Sequence, residues 1–115
     1  MFTIDKLKAF GCNVEEGLSR CMNEEFFYIH LVTSLITETD KKLPLLEEAI
    51  NQNDLQKAFE YAHGLKGVYG NLAITPLYEK ISNVTELLRA KEEADYPSLI
   101  KEIKILYEQF KSLND

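Results

Sequence analysis

Apolar residues recur along this chain at intervals of three and four, and no segment alternates long enough to make a strand. Thr3 is placed to cap a short helix ending near Gly11. Asn13 precedes Val-Glu-Glu and Asn23 precedes Glu-Glu, so each reads as an N-cap followed by acids that favour the positive end of a helix. From Asn23 the period runs to about Ile50 through Phe26, Ile29, Val32, Ile36, Leu43, Leu46 and Ile50. Pro44 lies inside this run and predicts a kink or a split, because proline lacks the N–H that an interior turn needs. Asn51-Gln-Asn-Asp54 is a short polar turn with its own cap, and the next helix is expected from about Asp54 to Gly70. The break at 71–75 makes Thr75 a cap and puts Pro76 in the favoured first helical position. Leu77, Ile81, Val84 and Leu88 form a stripe typical of a bundle helix. Lys91 to Tyr96 is charged and turns at Pro97, after which Ile100, Ile103, Tyr107 and Phe110 form the last stripe. Short connections make sequential helices antiparallel neighbours. The pattern therefore predicts an all-α protein, an up-and-down antiparallel four-helix bundle with short N-terminal helices, forming one domain over residues 1–115. No repeat, linker or low-complexity tract interrupts it.

The helix expected over 54–70 is unusual on its polar side. At about 100° per residue, Leu55, Ala58, Ala62, Leu65 and Tyr69 share one face. His63 falls opposite, with Gln56, Glu60, Gly67 and Gly70, and reads as an exposed imidazole. Gly64, Gly67 and Gly70 all lie in this helix, although each interior glycine costs roughly 0.5–1 kcal/mol relative to alanine. Small residues around a histidine suggest that something large must reach the ring. Phe59 lies between the two faces, either as core or as part of an apolar rim for a docking partner. Gly70-Asn71-Leu72 also reads as a helix C-cap, with Asn71 suited to the left-handed conformation. His30, within the long preceding helix, has no comparable company and reads as structural or solvent-facing.

Composition narrows the functional classes. At 115 residues, with 45% hydrophobic and 28% charged positions, the chain has room for one core and no separate nucleotide-binding domain. A net charge of −6 without a basic stripe argues against nucleic acid and against an anionic membrane surface. No apolar run approaches the ~20 residues needed to cross a bilayer, and no secretory signal is evident. A cytoplasmic protein is expected. Cys12 and Cys21 lie at an interval that, with His30 and His63, matches no compact zinc motif, so reduced and packed thiols are expected rather than a metal site or a disulfide.

The residues around His63 carry a resemblance. Ala62, His63, Leu65, Lys66, Gly67, Asn71 and Leu72 match the signature of the histidine phosphotransfer (HPt) family, approximately Ala-His-x-Leu-Lys-Gly followed by Asn-Leu-Gly or a close variant. The order and spacing of the helices resemble the family over about residues 13–112. Ala73 departs from it, standing where glycine is common. The resemblance implies a stand-alone phosphorelay protein. His63 would accept a phosphoryl group from a receiver-domain aspartate, through Nε2, and pass it to another receiver. Lys66 would attract the phosphoryl oxygens and Gly67 would keep the approach clear. Partners would be response-regulator receiver domains and a hybrid sensor histidine kinase, with no cofactor of its own and Mg²⁺ expected on the partner receiver.

Elementary chemistry agrees. A neutral imidazole is a good nucleophile near its ordinary pKa of ~6.5. Lys66, one turn on, is within reach of a phosphate on His63. Glu60, one turn back, is a candidate to orient the ring through Nδ1. No phosphate-cradling loop or Mg²⁺ carboxylate cluster is evident, so the chain reads as a phosphocarrier without turnover of its own. A helical adaptor or inhibitor that binds a kinase or receiver without carrying phosphate is the main rival; a small hydrolase lacks a second polar partner for His63. The relay reading predicts a convex, open His63 surface, and the stripes are satisfied within one chain, so a monomer is expected.

Overall fold

A computed structural model describes all 115 residues and contains six α-helices: α1 Ile4–Phe10, α2 Val14–Arg20, α3 Glu25–Asn51, α4 Leu55–Asn71, α5 Thr75–Arg89 and α6 Tyr96–Lys111, with a 3₁₀ turn at Ser112–Asn114. The all-α expectation holds. Helix α4 packs between α3 and α5, and α6 closes against both of those neighbours, so the four longest helices share one core. The stripes expected on α5 and α6 are buried throughout, and on α4 Ala58, Ala62, Leu65 and Tyr69 are fully enclosed while Leu55 is half-buried. Phe2 and Phe10 pack on Phe110, with ring centroids 5.0 and 5.4 Å apart, and so fasten the short α1 to α6.

Helix α3 departs from its expected form in three respects. Its buried face runs through Tyr28, Val32, Leu35, Thr39, Leu43, Leu46, Ala49 and Ile50, whereas Phe26 is 85% exposed and Ile29 and Ile36 are half-buried. The phase is set by polar groups that an apolar pattern cannot register: Thr39 is inside because its hydroxyl bonds the Tyr69 hydroxyl at 3.0 Å, and Tyr28 because it donates to the Leu72 carbonyl at 2.8 Å. Second, of the kink or split expected at Pro44, the split does not occur: the helix continues over 27 residues. Pro44 lies on the exposed side, where water can meet the carbonyl it leaves without a partner, while Leu43 and Leu46 anchor the opposite side. Third, Asn23 is not the cap. Met22 and Asn23 are both left-handed (φ 57° each), and the Asn23 N–H closes α2 by bonding the Leu18 carbonyl. Glu24 becomes the N-cap, without a side-chain capping bond.

The tyrosine hydroxyls hold the long helices in register. Tyr28 and Tyr69 tie α3 to α4, and Tyr107 ties α6 to α3 by donating to Asp40 Oδ1 at 2.8 Å and the Ile36 carbonyl at 3.1 Å. A buried hydroxyl that finds its partner satisfies its polar end while its ring fills the core. Burial pushes the Tyr69 hydroxyl up to about 12 and the Cys12 thiol likewise to about 12. Cys12 and Cys21 are free and buried, as packed thiols. Gly17 of α2 is required by close approach, since a Cβ there would sit 2.5 Å from the Tyr28 ring.

Helices α3, α4 and α5 all end the same way. A residue with positive φ follows the C-cap: Asn53 (55°), Ala73 (57°) and Lys91 (55°). Its N–H and the next N–H then turn back onto carbonyls of the last turn, as when Ala73 bonds Gly70 and Ile74 bonds Tyr69. The left-handed residue after α4 is thus Ala73, not Asn71, which remains the last residue of the helix. Thr75 likewise opens α5 rather than capping it; Ile74 is the cap, and the Thr75 hydroxyl donates to the Ala73 carbonyl at 3.3 Å. A Cβ is unfavourable in this conformation. Lys91→Gly, at a fully exposed turn, is therefore expected to raise stability by roughly 0.5–1 kcal/mol in a denaturant titration; an unchanged or lower midpoint would contradict this account of the turn.

Candidate functional site

His63 is the central residue of α4, and the apolar face that buries Ala62 and Leu65 turns it outward, exposed to solvent. Phe59, one turn earlier and half-buried, stacks on its ring with centroids 5.6 Å apart and planes 12° from parallel. On α5, the Arg89 guanidinium lies 5.0 Å from the centre of that same Phe59 ring. Phe59 therefore lies between the imidazole and the Arg89 guanidinium, half-buried, in contact with both. No hydrogen bond joins the ring to Glu60, the expected acceptor from Nδ1–H; Glu60 is exposed, and the contact on the imidazole is the Phe59 stack.

The glycines divide by what lies above them. A Cβ on Gly67 would meet nothing within 4 Å, so the surface one turn from His63 is open. Gly70 has a different role. A Cβ there would come within 2.9 Å of the Tyr78 ring, and its carbonyl accepts a hydrogen bond from Arg20 of α2. Gly64 faces the Lys42 ammonium, 3.2 Å from where its Cβ would lie. Open space thus lies above Gly67, whereas Gly70 makes room for packing.

An open cleft of about 580 Å³ extends from His63 toward the C-terminal end of α4. It is lined by His63, Lys66, Gly67 and Gly70 of α4, by Glu16 and Arg20 of α2, and by Tyr78 and Glu79 of α5. The surface expected to be convex is thus hollowed on this side. Gln56 lies apart, exposed two turns before His63, in a groove with Phe59, Leu88, Arg89 and Lys91. His30 is exposed on α3 and lines neither.

The cations of the site are paired. Lys66 Nζ lies 3.2 Å from Glu86 Oε1, and Arg89 Nε donates to Glu86 Oε2 at 3.2 Å. The hydrogen bond from Lys66 holds the Glu86 carboxyl below the usual carboxylate range, with the charges of Arg89 and Lys66 acting in the same sense. Arg20 pairs with Glu16 on α2. Glu86, Arg89, Arg20, Glu16 and Tyr78 were not foreseen around His63, since they come from other helices and nothing local in the chain marks them. No three His, Cys, Asp or Glu side chains are grouped so as to hold a metal ion.

No helix is long and apolar enough to cross a membrane. No curated protein and no solved structure gives a significant match to the chain. The Hpt domain model, however, matches residues 30–113, from within α3 to the 3₁₀ turn, and leaves α1 and α2 outside. Domains of this kind carry phosphoryl groups on histidine in two-component phosphorelays, interact with receiver domains and kinases, and are carriers rather than enzymes. With most of its length so matched, including the helix that presents His63, this chain belongs to the Hpt family.

Proposed function

We propose that this protein is a phosphorelay intermediate in which His63 accepts a phosphoryl group from an aspartyl phosphate of one receiver domain and delivers it to an aspartate of another. The observation that carries this reading is the combination at one point of α4: an exposed imidazole, a glycine with open space above it, and a lysine one turn away. In the forward step the Nε2 lone pair forms the P–N bond as the P–O bond to the receiver carboxylate breaks. The carboxylate leaves with the bonding pair, and the positive charge of the phosphorylated ring is shared with Nδ1–H until that proton is lost. The reverse sequence on a second receiver returns a neutral imidazole.

Each residue has a role in that step. Stacking on Phe59 limits the rotation of the ring, so that less orientational freedom is lost on the way to an in-line geometry. Gly67 admits the rim of the receiver's active site. Lys66 offsets negative charge on the transferring group. The Mg²⁺ that such a transfer uses would be bound by the receiver. A monomer docking its receivers transiently, in the cytoplasm, completes the proposal.

Lys66→Ala is expected to slow transfer by about tenfold, less than for a fully buried charge donor because this ammonium is partly solvated. Rapid-quench measurement of label moving from a phosphorylated receiver gives the rate, and circular dichroism checks that the helices persist. A wild-type rate would remove Lys66 from the mechanism.

A further inference from the structure

Glu86 is an acid placed where a phosphoryl acceptor would be expected to favour only cations. Its two oxygens are committed to different partners: Oε1 to Lys66, one turn from His63, and Oε2 to Arg89, which covers the Phe59 ring on which His63 stacks. One carboxylate on α5 therefore neutralises both cations on this flank of the imidazole. The pairing is also easy to exchange. Glu86 is 55% exposed and Lys66 23% exposed at the side chain, and ion pairs this close to water are weak. Lysine carries its charge on a flexible four-carbon stem. A phosphoryl group brings close to two negative charges at neutral pH and three acceptor oxygens, so it competes well against a single solvated carboxylate.

We propose that Glu86 acts as a charge latch, holding Lys66 and Arg89 while His63 is unmodified and yielding Lys66 to the phosphoryl group once it arrives. The inference rests on His63 being the phosphoacceptor. Its consequence is that Glu86 limits how firmly the protein retains phosphate. The carboxylate competes for the stabilising lysine and repels the phosphoryl group, and both effects favour onward delivery. Glu86 is a positioning residue in this scheme and touches no reacting atom.

The test is the equilibrium of phosphoryl exchange between this protein and one phosphorylated receiver domain, compared for wild type, Glu86→Gln and Glu86→Asp. Glu86→Gln keeps size and one acceptor oxygen but loses the charge. It is expected to shift the equilibrium toward phosphorylated His63 by about three- to fivefold at low ionic strength, and by less at high salt, as screening dictates. Glu86→Asp keeps the charge and is expected to stay within about twofold of wild type, an outcome that a purely structural role for the side chain would not produce. Label on wild type and Glu86→Gln with the same equilibrium would overturn the latch and leave His63 as acceptor. Label on neither would overturn the phosphocarrier reading, and the latch with it.

Discussion

His63→Gln is expected to abolish phosphoryl acceptance, reducing transfer from a phosphorylated receiver by at least about a thousandfold, to the background of the assay. Glutamine approximates the length and polarity of the imidazole but offers no nucleophilic nitrogen. Because His63 is exposed and makes no hydrogen bond that another group depends on, stability should change by no more than about 0.5 kcal/mol. The variant thus separates the chemistry from the surface. Receiver binding measured by calorimetry should survive, since the cleft residues, Phe59 and Gly67 remain in place. A variant that binds receivers and still performs the full biological function would favour the rival role of a phosphate-free adaptor.

The second large effect is expected at Gly67, and it is sharpest beside Gly70. Nothing lies within 4 Å of a Cβ at Gly67, so Gly67→Ala should stabilise α4 by about 0.5–1 kcal/mol through lower backbone entropy in the unfolded chain. Gly67→Phe should fold equally well but cut transfer by roughly a hundredfold, because a large side chain one turn from His63 keeps the reacting atoms from the ~3–3.5 Å separation that attack requires. Gly70→Ala should lose the stability gain. Its Cβ would be 2.9 Å from the Tyr78 ring, which must move aside and disturb the packing beside the Arg20 hydrogen bond. Thermal melts and transfer rates for the three variants test this directly. Normal rates with phenylalanine at 67 would contradict the open-approach argument.

Much of this protein is readable along the chain because its determinants are local. The stripes of α4, α5 and α6 repeat within single helices, and Asp54 caps α4 by accepting from the Lys57 N–H. His63, Lys66 and Gly67 share one helix, so period alone places them together. The misplaced features depend on groups distant in sequence. Burial of Thr39 requires Tyr69, and the phase of α3 near its start requires Tyr28 to reach Leu72. Ala73 takes a positive φ that its own preference opposes, and its carbonyl accepts from the Asn13 N–H at the start of α2. Pro44 does not split the helix because its unsatisfied side faces water, which an isolated pattern does not reveal. The pairing of Lys66 with Glu86 spans 20 positions, and so depends on how α4 sits against α5. The residue found against the imidazole is Phe59 rather than Glu60, since that contact turns on ring geometry and not on the nearest carboxylate.

The most direct measurement is to phosphorylate the wild-type protein from a labelled receiver domain and locate the label by peptide mapping under alkaline conditions, followed by an acid-lability assay. Phosphate that is acid-labile, base-stable and confined to His63 is the predicted result. Phosphate on His30 or on a carboxylate, with His63 unlabelled, would contradict the account.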